Sequence, residues 1–130
     1  MLELTKYRLD SAAERLATSK LLLESGCYKD SINRSYYAVF LAIRALLSTR
    51  SVEFAKHSGV IGYFQREYIK TGIFDRKYSK YLKAAFQIRQ DCDYEDFFIA
   101  AKQDAETQYF HASELLEEIK RYLELEEEVQ

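Results

Sequence analysis

The chain is expected to fold as a single all-α domain, an up-and-down bundle of about five helices. Three observations predict it. Proline is absent and only four glycines occur in 130 residues, too few for the tight turns that an all-β domain consumes. Apolar residues recur at three- and four-residue spacing along most of the chain, the pattern of amphipathic helices. Hydrophobic residues make up 48% of the sequence, enough to bury a core and too many for a disordered chain. No linker, repeat or low-complexity stretch interrupts residues 1–130, so one domain is expected.

The first helix reads from about Leu4 to Glu24, with Leu9, Ala12, Ala13, Leu16 and Leu23 as its stripe and Gly26 ending it. A second helix starts near Asp30 or Ser31, either suited to cap it, and continues to about Leu47. Ile32, Tyr36, Val39, Phe40, Ile43, Leu46 and Leu47 share one of its faces. The opposite face holds Arg34, Tyr37, Ala38, Leu41 and Ala45, with Arg44 at its edge, and is too apolar for water. Such a helix is either central in the bundle or covered by a second subunit. A homodimer contacting through Arg34, Tyr37 and Leu41 is therefore expected.

After a polar connection, a short third helix runs from about Ser58 to Ile69, with His57, Val60, Ile61, Phe64 and Tyr68 on one side. Asp75 is placed to cap the fourth, whose stripe is Tyr78, Tyr81, Leu82, Ala85, Ile88 and Cys92. Asp93 is placed to cap the fifth, with Phe97, Ala101, Ala105, Ala112, Leu115, Leu116, Ile119 and Leu123 at core spacing. Residues Glu124 to Gln130 are expected to fray.

A formal net charge of -2 excludes a polycation. Basic residues nevertheless concentrate between Arg66 and Lys83. Lys77, Lys80 and Lys83, interleaved with Tyr78 and Tyr81, form either a solvated helix face or a stripe that meets RNA. The N-terminus carries charges where a signal peptide needs an apolar run, and no stretch is long enough to span a bilayer. A cytoplasmic protein is expected, with Cys27 and Cys92 as free, partly buried thiols.

Two residues stand out chemically. Arg89 falls on the apolar side of the fourth helix, between Leu82 and Cys92. An arginine cannot shed its charge on burial, so it needs a carboxylate, a carbonyl or a phosphate. Asp93, one turn on, supplies a purely structural answer; a cleft awaiting phosphate is the functional one. His57 opens the third helix and is either a packed helix-start histidine or a general acid–base. His111 and Glu114 share a face, but they lack the second Glu-x-x-His copy of a di-metal bundle. With no Walker loop, dinucleotide turn or paired cysteines either, no metal or cofactor is expected.

Ser31-Ile-Asn-Arg-Ser-Tyr-Tyr-Ala-Val-Phe40, then Lys56-His-Ser-Gly-Val60, then Arg89-Gln-Asp-Cys-Asp-Tyr94 together resemble the HEPN superfamily (higher eukaryotes and prokaryotes nucleotide-binding), in its branch of small prokaryotic proteins. The likeness runs from about Leu4 to Leu123. It implies an up-and-down bundle that dimerises, with the motif helices of two subunits facing a shared cleft. It also implies metal-independent ribonuclease activity in many members, and pairing with a minimal nucleotidyltransferase as toxin and antitoxin. The family's catalytic signature is an arginine followed about a helical turn later by a histidine. Here Arg89 matches the arginine, but Asp93 and Tyr94 follow it and the next histidine is His111. The resulting expectation is a degenerate motif in a homodimeric partner or regulatory subunit of a minimal nucleotidyltransferase, contacting RNA or a nucleotide. The alternative is an active endoribonuclease toxin using Arg89, with Asp93, Tyr94 or His57 assisting.

Overall fold

A computed structural model describes residues 1–129 and contains α1 (Glu3–Glu24), α2 (Tyr28–Ser48), α3 (His57–Phe64), α4 (Lys77–Tyr94) and α5 (Lys102–Val129). There is no strand among the described residues. A π-helical turn, Gln65–Ile69, extends α3 and swings Tyr68 and Ile69 into the core. No helix is long and apolar enough to cross a membrane among the described residues.

The bundle is organised around α2, which packs against α1, α3, α4 and α5. Ile43, Leu46, Ala38, Ala42 and Ala45 of α2 are all completely buried. Ser31, Ser35, Ala38, Ala42 and Ala45 recur at helical spacing and form a stripe of small side chains. Along that stripe α1 approaches closely, because little side-chain volume separates the two backbones. The hydroxyls are paired within it. Ser19 of α1 donates to the Ser31 carbonyl at 2.9 Å, Ser31 donates back to the Ser19 carbonyl at 2.8 Å, and Ser35 lies 2.6 Å from the Ser19 hydroxyl. Thr5 and Ser48 make the same kind of contact at 2.6 Å. A Ser19→Ala variant strands the Ser35 hydroxyl in a dry interface. It should lose about 1–3 kcal/mol, read as a lower urea midpoint with an unchanged m-value.

This central position accounts for much of the second apolar face of α2. Ala38 and Ala45 are covered by the protein's own helices. Of the residues expected at a dimer interface, Arg34 is exposed, and Tyr37 and Leu41 are half-buried.

Several boundaries differ from the sequence expectation. The second helix begins at Tyr28, because Ser31 spends its hydroxyl on Ser19 instead of on a cap. Asp75 does accept the Lys77 amide at 2.8 Å where α4 starts. Asp93, however, caps nothing: α4 continues through it, and α5 begins only at Lys102, with the Asp104 carboxylate accepting the Ala101 amide at 3.0 Å. Phe97 and Ala101 are therefore not core residues. Both are exposed, and Phe97 has a φ of +63°, which no helix accommodates. At the C-terminus, α5 stays helical to Val129, beyond its last buried residue Leu123, where fraying was expected. Gln130 lies outside the described residues.

One buried charge was not anticipated. Arg8 of α1 is 8% exposed, pairs with Glu53 at 2.6 Å and donates to the Arg44 carbonyl at 3.1 Å. Arg44 reaches the same carboxylate at 3.3 Å, so Glu53 fastens α1 and α2 to the connection that leads into α3.

Candidate functional site

That connection decides where His57 goes. It delivers the first residue of α3 against the outer side of α2, where the His57 ring lies 4.0 Å from the Phe40 ring, centroid to centroid. His57 Nδ1 is 3.3 Å from the Tyr36 hydroxyl. Tyr37, on the adjoining side of α2, meets His57 edge-on at 6.1 Å.

Arg89 reaches the same two tyrosines from α4. Its guanidinium carbon sits 4.9 Å from the Tyr36 ring centroid and 5.4 Å from that of Tyr37. Its Nη2 donates to the Tyr37 hydroxyl at 3.2 Å. Asp93 lies 3.4 Å from Nε, close enough for an ion pair, yet the buried Nε–H is not aimed at any hydrogen-bond acceptor. The side chain is 16% exposed. A guanidinium flanked by two aromatic faces, with one donor uncommitted, is suited to receive a phosphate oxygen.

The cluster also tunes its imidazole. Burial pushes the His57 pKa below its ordinary 6.5, and the positive charges of Arg89 and Arg44 push it further the same way. His57 is therefore a neutral base at neutral pH. Burial raises the Tyr36 phenol above 10.0 despite the nearby Arg89, so that hydroxyl keeps its proton. Beside the cluster opens a cavity of about 410 Å³ lined by Tyr36, His57, Ile61, Leu82, Lys83 and Phe86 among others.

The other expected site residues fall outside. Tyr94 ends α4 and is 71% exposed, and no hydrogen bond or ring contact of the cluster involves it. Lys77 is exposed on α4 and paired with Glu114 at 3.0 Å. Lys80 is separated from Arg89 by two and a half helical turns, which puts it on the opposite face. Only Lys83 comes near, at the cavity wall. Tyr36 was read from sequence as core alone. It is 4% exposed, and its site role rests on a hydroxyl whose direction periodicity does not report.

The profile of the HEPN domain matches residues 5–122, a span that includes every member of this cluster. The chain belongs to the HEPN family. Its relatives include "Putative toxin MJ0142" of Methanocaldococcus jannaschii, 33% identical across 88% of this chain and 78% of that protein. A "UPF0332 protein" of Thermotoga maritima is 31% identical across 94% and 92%. "Putative toxin MJ0605", also of Methanocaldococcus jannaschii, is 30% identical across 88% and 85%.

In this HEPN chain no group of three or more His, Cys, Asp or Glu side chains is arranged to hold a metal ion, among the described residues. The second histidine, His111, stacks on Tyr81 at 3.7 Å, with its Nδ1 buried and unpartnered. Cys27 is exposed, and not partly buried as expected. Cys92 is half-buried, and burial raises its thiol pKa.

Burial depresses His111 as it does His57. Both are lowered in the folded state, so the unfolded chain binds more protons below about pH 6.5. Stability should be complete above that pH and fall as the pH drops from 6.5 towards the depressed folded values. Glu53 and Glu114, lowered by Arg8 and Lys77 respectively, add a further loss on acidification below 4.5. Thermal midpoints between pH 8 and pH 5 check the first window: a His57→Gln/His111→Gln variant should show a flatter dependence there.

Proposed function

We propose that this HEPN chain is a toxin-type endoribonuclease that cleaves RNA phosphodiesters without a metal ion, using Arg89 and His57. The observation that carries this reading is their convergence, from α4 and from the start of α3, on the same pair of tyrosines. With Nδ1–H donating to the Tyr36 oxygen, Nε2 of His57 presents its lone pair. It takes the proton of a ribose 2′-hydroxyl, whose oxygen bonds to phosphorus. The P–O5′ bond breaks, and the 5′-oxygen leaves with a proton from water. Arg89 and the Tyr37 hydroxyl donate to the phosphate oxygens that gain charge on the way. Asp93 holds the guanidinium in place. The names of the Methanocaldococcus relatives fit this reading. The test is incubation of the purified chain with a mixed RNA pool in EDTA, beside Arg89→Ala. Cleavage by the wild type alone supports the proposal, and an intact pool with both overturns it.

One observation favours a second reading. No histidine follows Arg89 within α4, and Asp93 engages the arginine itself. On that reading the motif is degenerate, and the chain is a homodimeric partner subunit of a minimal nucleotidyltransferase that binds RNA or a nucleotide at Arg89 without cutting it. Co-expression with the nearest nucleotidyltransferase reading frame, followed by size-exclusion chromatography, tests it. A stable complex together with an intact RNA pool is the result it predicts.

A further inference from the structure

The segment between α4 and α5 holds a large apolar side chain away from the protein. Phe97 is 100% exposed, and its backbone is left-handed at φ +63°. A bulky residue seldom adopts that conformation, which costs on the order of 1–3 kcal/mol. The segment is nonetheless anchored. Phe98 packs against the small cluster of Ile32, Ala100 and Ala105, with Lys29 over its ring. Asp104 holds the Ala101 amide at the far end. Fixed on that side, the chain presents Phe97 and Ile99 (86% exposed) outward, next to Tyr94. Exposed apolar side chains gathered in this way mark an interaction surface.

A complementary hollow lies further back on the same helix. The cavity of about 410 Å³ has Phe86, Leu82, Tyr36 and Ile61 as walls and Lys83 at its edge. Its lining is nearly all hydrocarbon, which suits a phenyl ring and offers little to the hydrogen-bonding edge of a nucleobase.

We infer that two copies of this chain pair through these features, with Phe97 of each seated in the cavity of the other. A knob and a hole on one molecule that fit each other across a two-fold axis close into a dimer and do not propagate. Charge agrees. Asp93, Glu95 and Asp96 accompany the knob, whereas Lys83 borders the hole, with Lys80 and Arg66 close by in sequence. The register has a consequence for the site. Three residues separate Phe86 from Arg89, and three separate Tyr94 from Phe97. Two antiparallel copies of α4 that bring Phe97 onto Phe86 therefore also bring the partner's Tyr94 opposite Arg89. Tyr94, too exposed to serve its own chain, adds a hydroxyl to its neighbour's cluster.

Light scattering of the full chain at micromolar concentration, with two variants, tests this. Phe97→Gly removes the knob and accepts the left-handed backbone. Gly62→Leu fills the hole from the cavity wall, where a Cβ meets nothing within 4 Å. Each ring buries roughly 150–250 Å², so each variant should weaken the dimer at least tenfold while keeping its thermal midpoint. Mixing the two variants should recover a heterodimer, since one knob and one hole remain intact in it. A monomeric wild type, a dimer indifferent to both changes, or a mixture no tighter than its components overturns the inference. A Gly62→Leu protein that stays dimeric but loses RNA would instead assign the cavity to a base. The inference does not rest on the ribonuclease reading: a dimer joined in this way that leaves RNA intact defeats that reading alone.

Discussion

Replacing Arg89 with alanine should lower RNA cleavage by about 10²–10³-fold, the range for removing a donor aimed at transition-state charge. The fold should survive. Arg89 contributes contacts with Tyr36 and Tyr37 and an ion pair with Asp93, whose side chain is 34% exposed and can be solvated when left alone. The change in stability should be about 1 kcal/mol, typical of a partly exposed substitution. Arg89→Lys separates charge from geometry. A lysine ammonium keeps the charge, but it cannot hold the Tyr37 hydroxyl and a phosphate oxygen with one rigid fork. Most of the loss should therefore persist in Arg89→Lys, measured as initial rates on one oligoribonucleotide. Full activity in the lysine variant contradicts the assigned geometry.

His57→Asn should cost about 10²–10⁴-fold in kcat, the usual contribution of a positioned general base, with a smaller change in KM. The wild-type pH profile provides a second reading. His57 must be unprotonated to act, and burial with Arg89 and Arg44 holds its pKa below 6.5. Activity should climb through a pH below 6.5 and be level across neutrality. Tyr36→Phe deletes the hydroxyl that orients the imidazole, so it should lower kcat about tenfold and leave the RNA-binding term nearly unchanged. A profile that rises only above neutrality would point to a phenol and away from His57.

Much of this was legible in the sequence, because helical periodicity is a strong signal when it is long. The stripes of the five helices and the placing of Arg89 on the apolar side of α4 were readable from spacing alone. So was the Arg89–Asp93 pair at one-turn separation, now seen at 3.4 Å. What failed was the junction after α4. Phe97 and Ala101 lie in phase with the stripe of α5, so periodicity counts them as helical, but a positive φ at Phe97 is invisible to it. The meeting of His57 with Arg89 was equally hidden. It depends on how the connection through Glu53 is tied to Arg8 and Arg44, a contact between residues far apart in sequence. Tyr36 was missed as a site residue for a related reason: its ring satisfies the core pattern while its hydroxyl serves His57. The adjacent Tyr36-Tyr37 pair, reaching two sides of one helix, was the available clue.

The central claim is that Arg89 and His57 act together on a ribose phosphodiester. The most direct test is a DNA oligonucleotide carrying one ribonucleotide, incubated in EDTA with the wild type, Arg89→Ala and His57→Asn, with the product ends identified. The predicted result is a single cut on the 3′ side of the ribonucleotide by the wild type alone, leaving a 2′,3′-cyclic phosphate. Cleavage of the all-deoxy strand, cleavage that survives both substitutions, or no cleavage at all contradicts it.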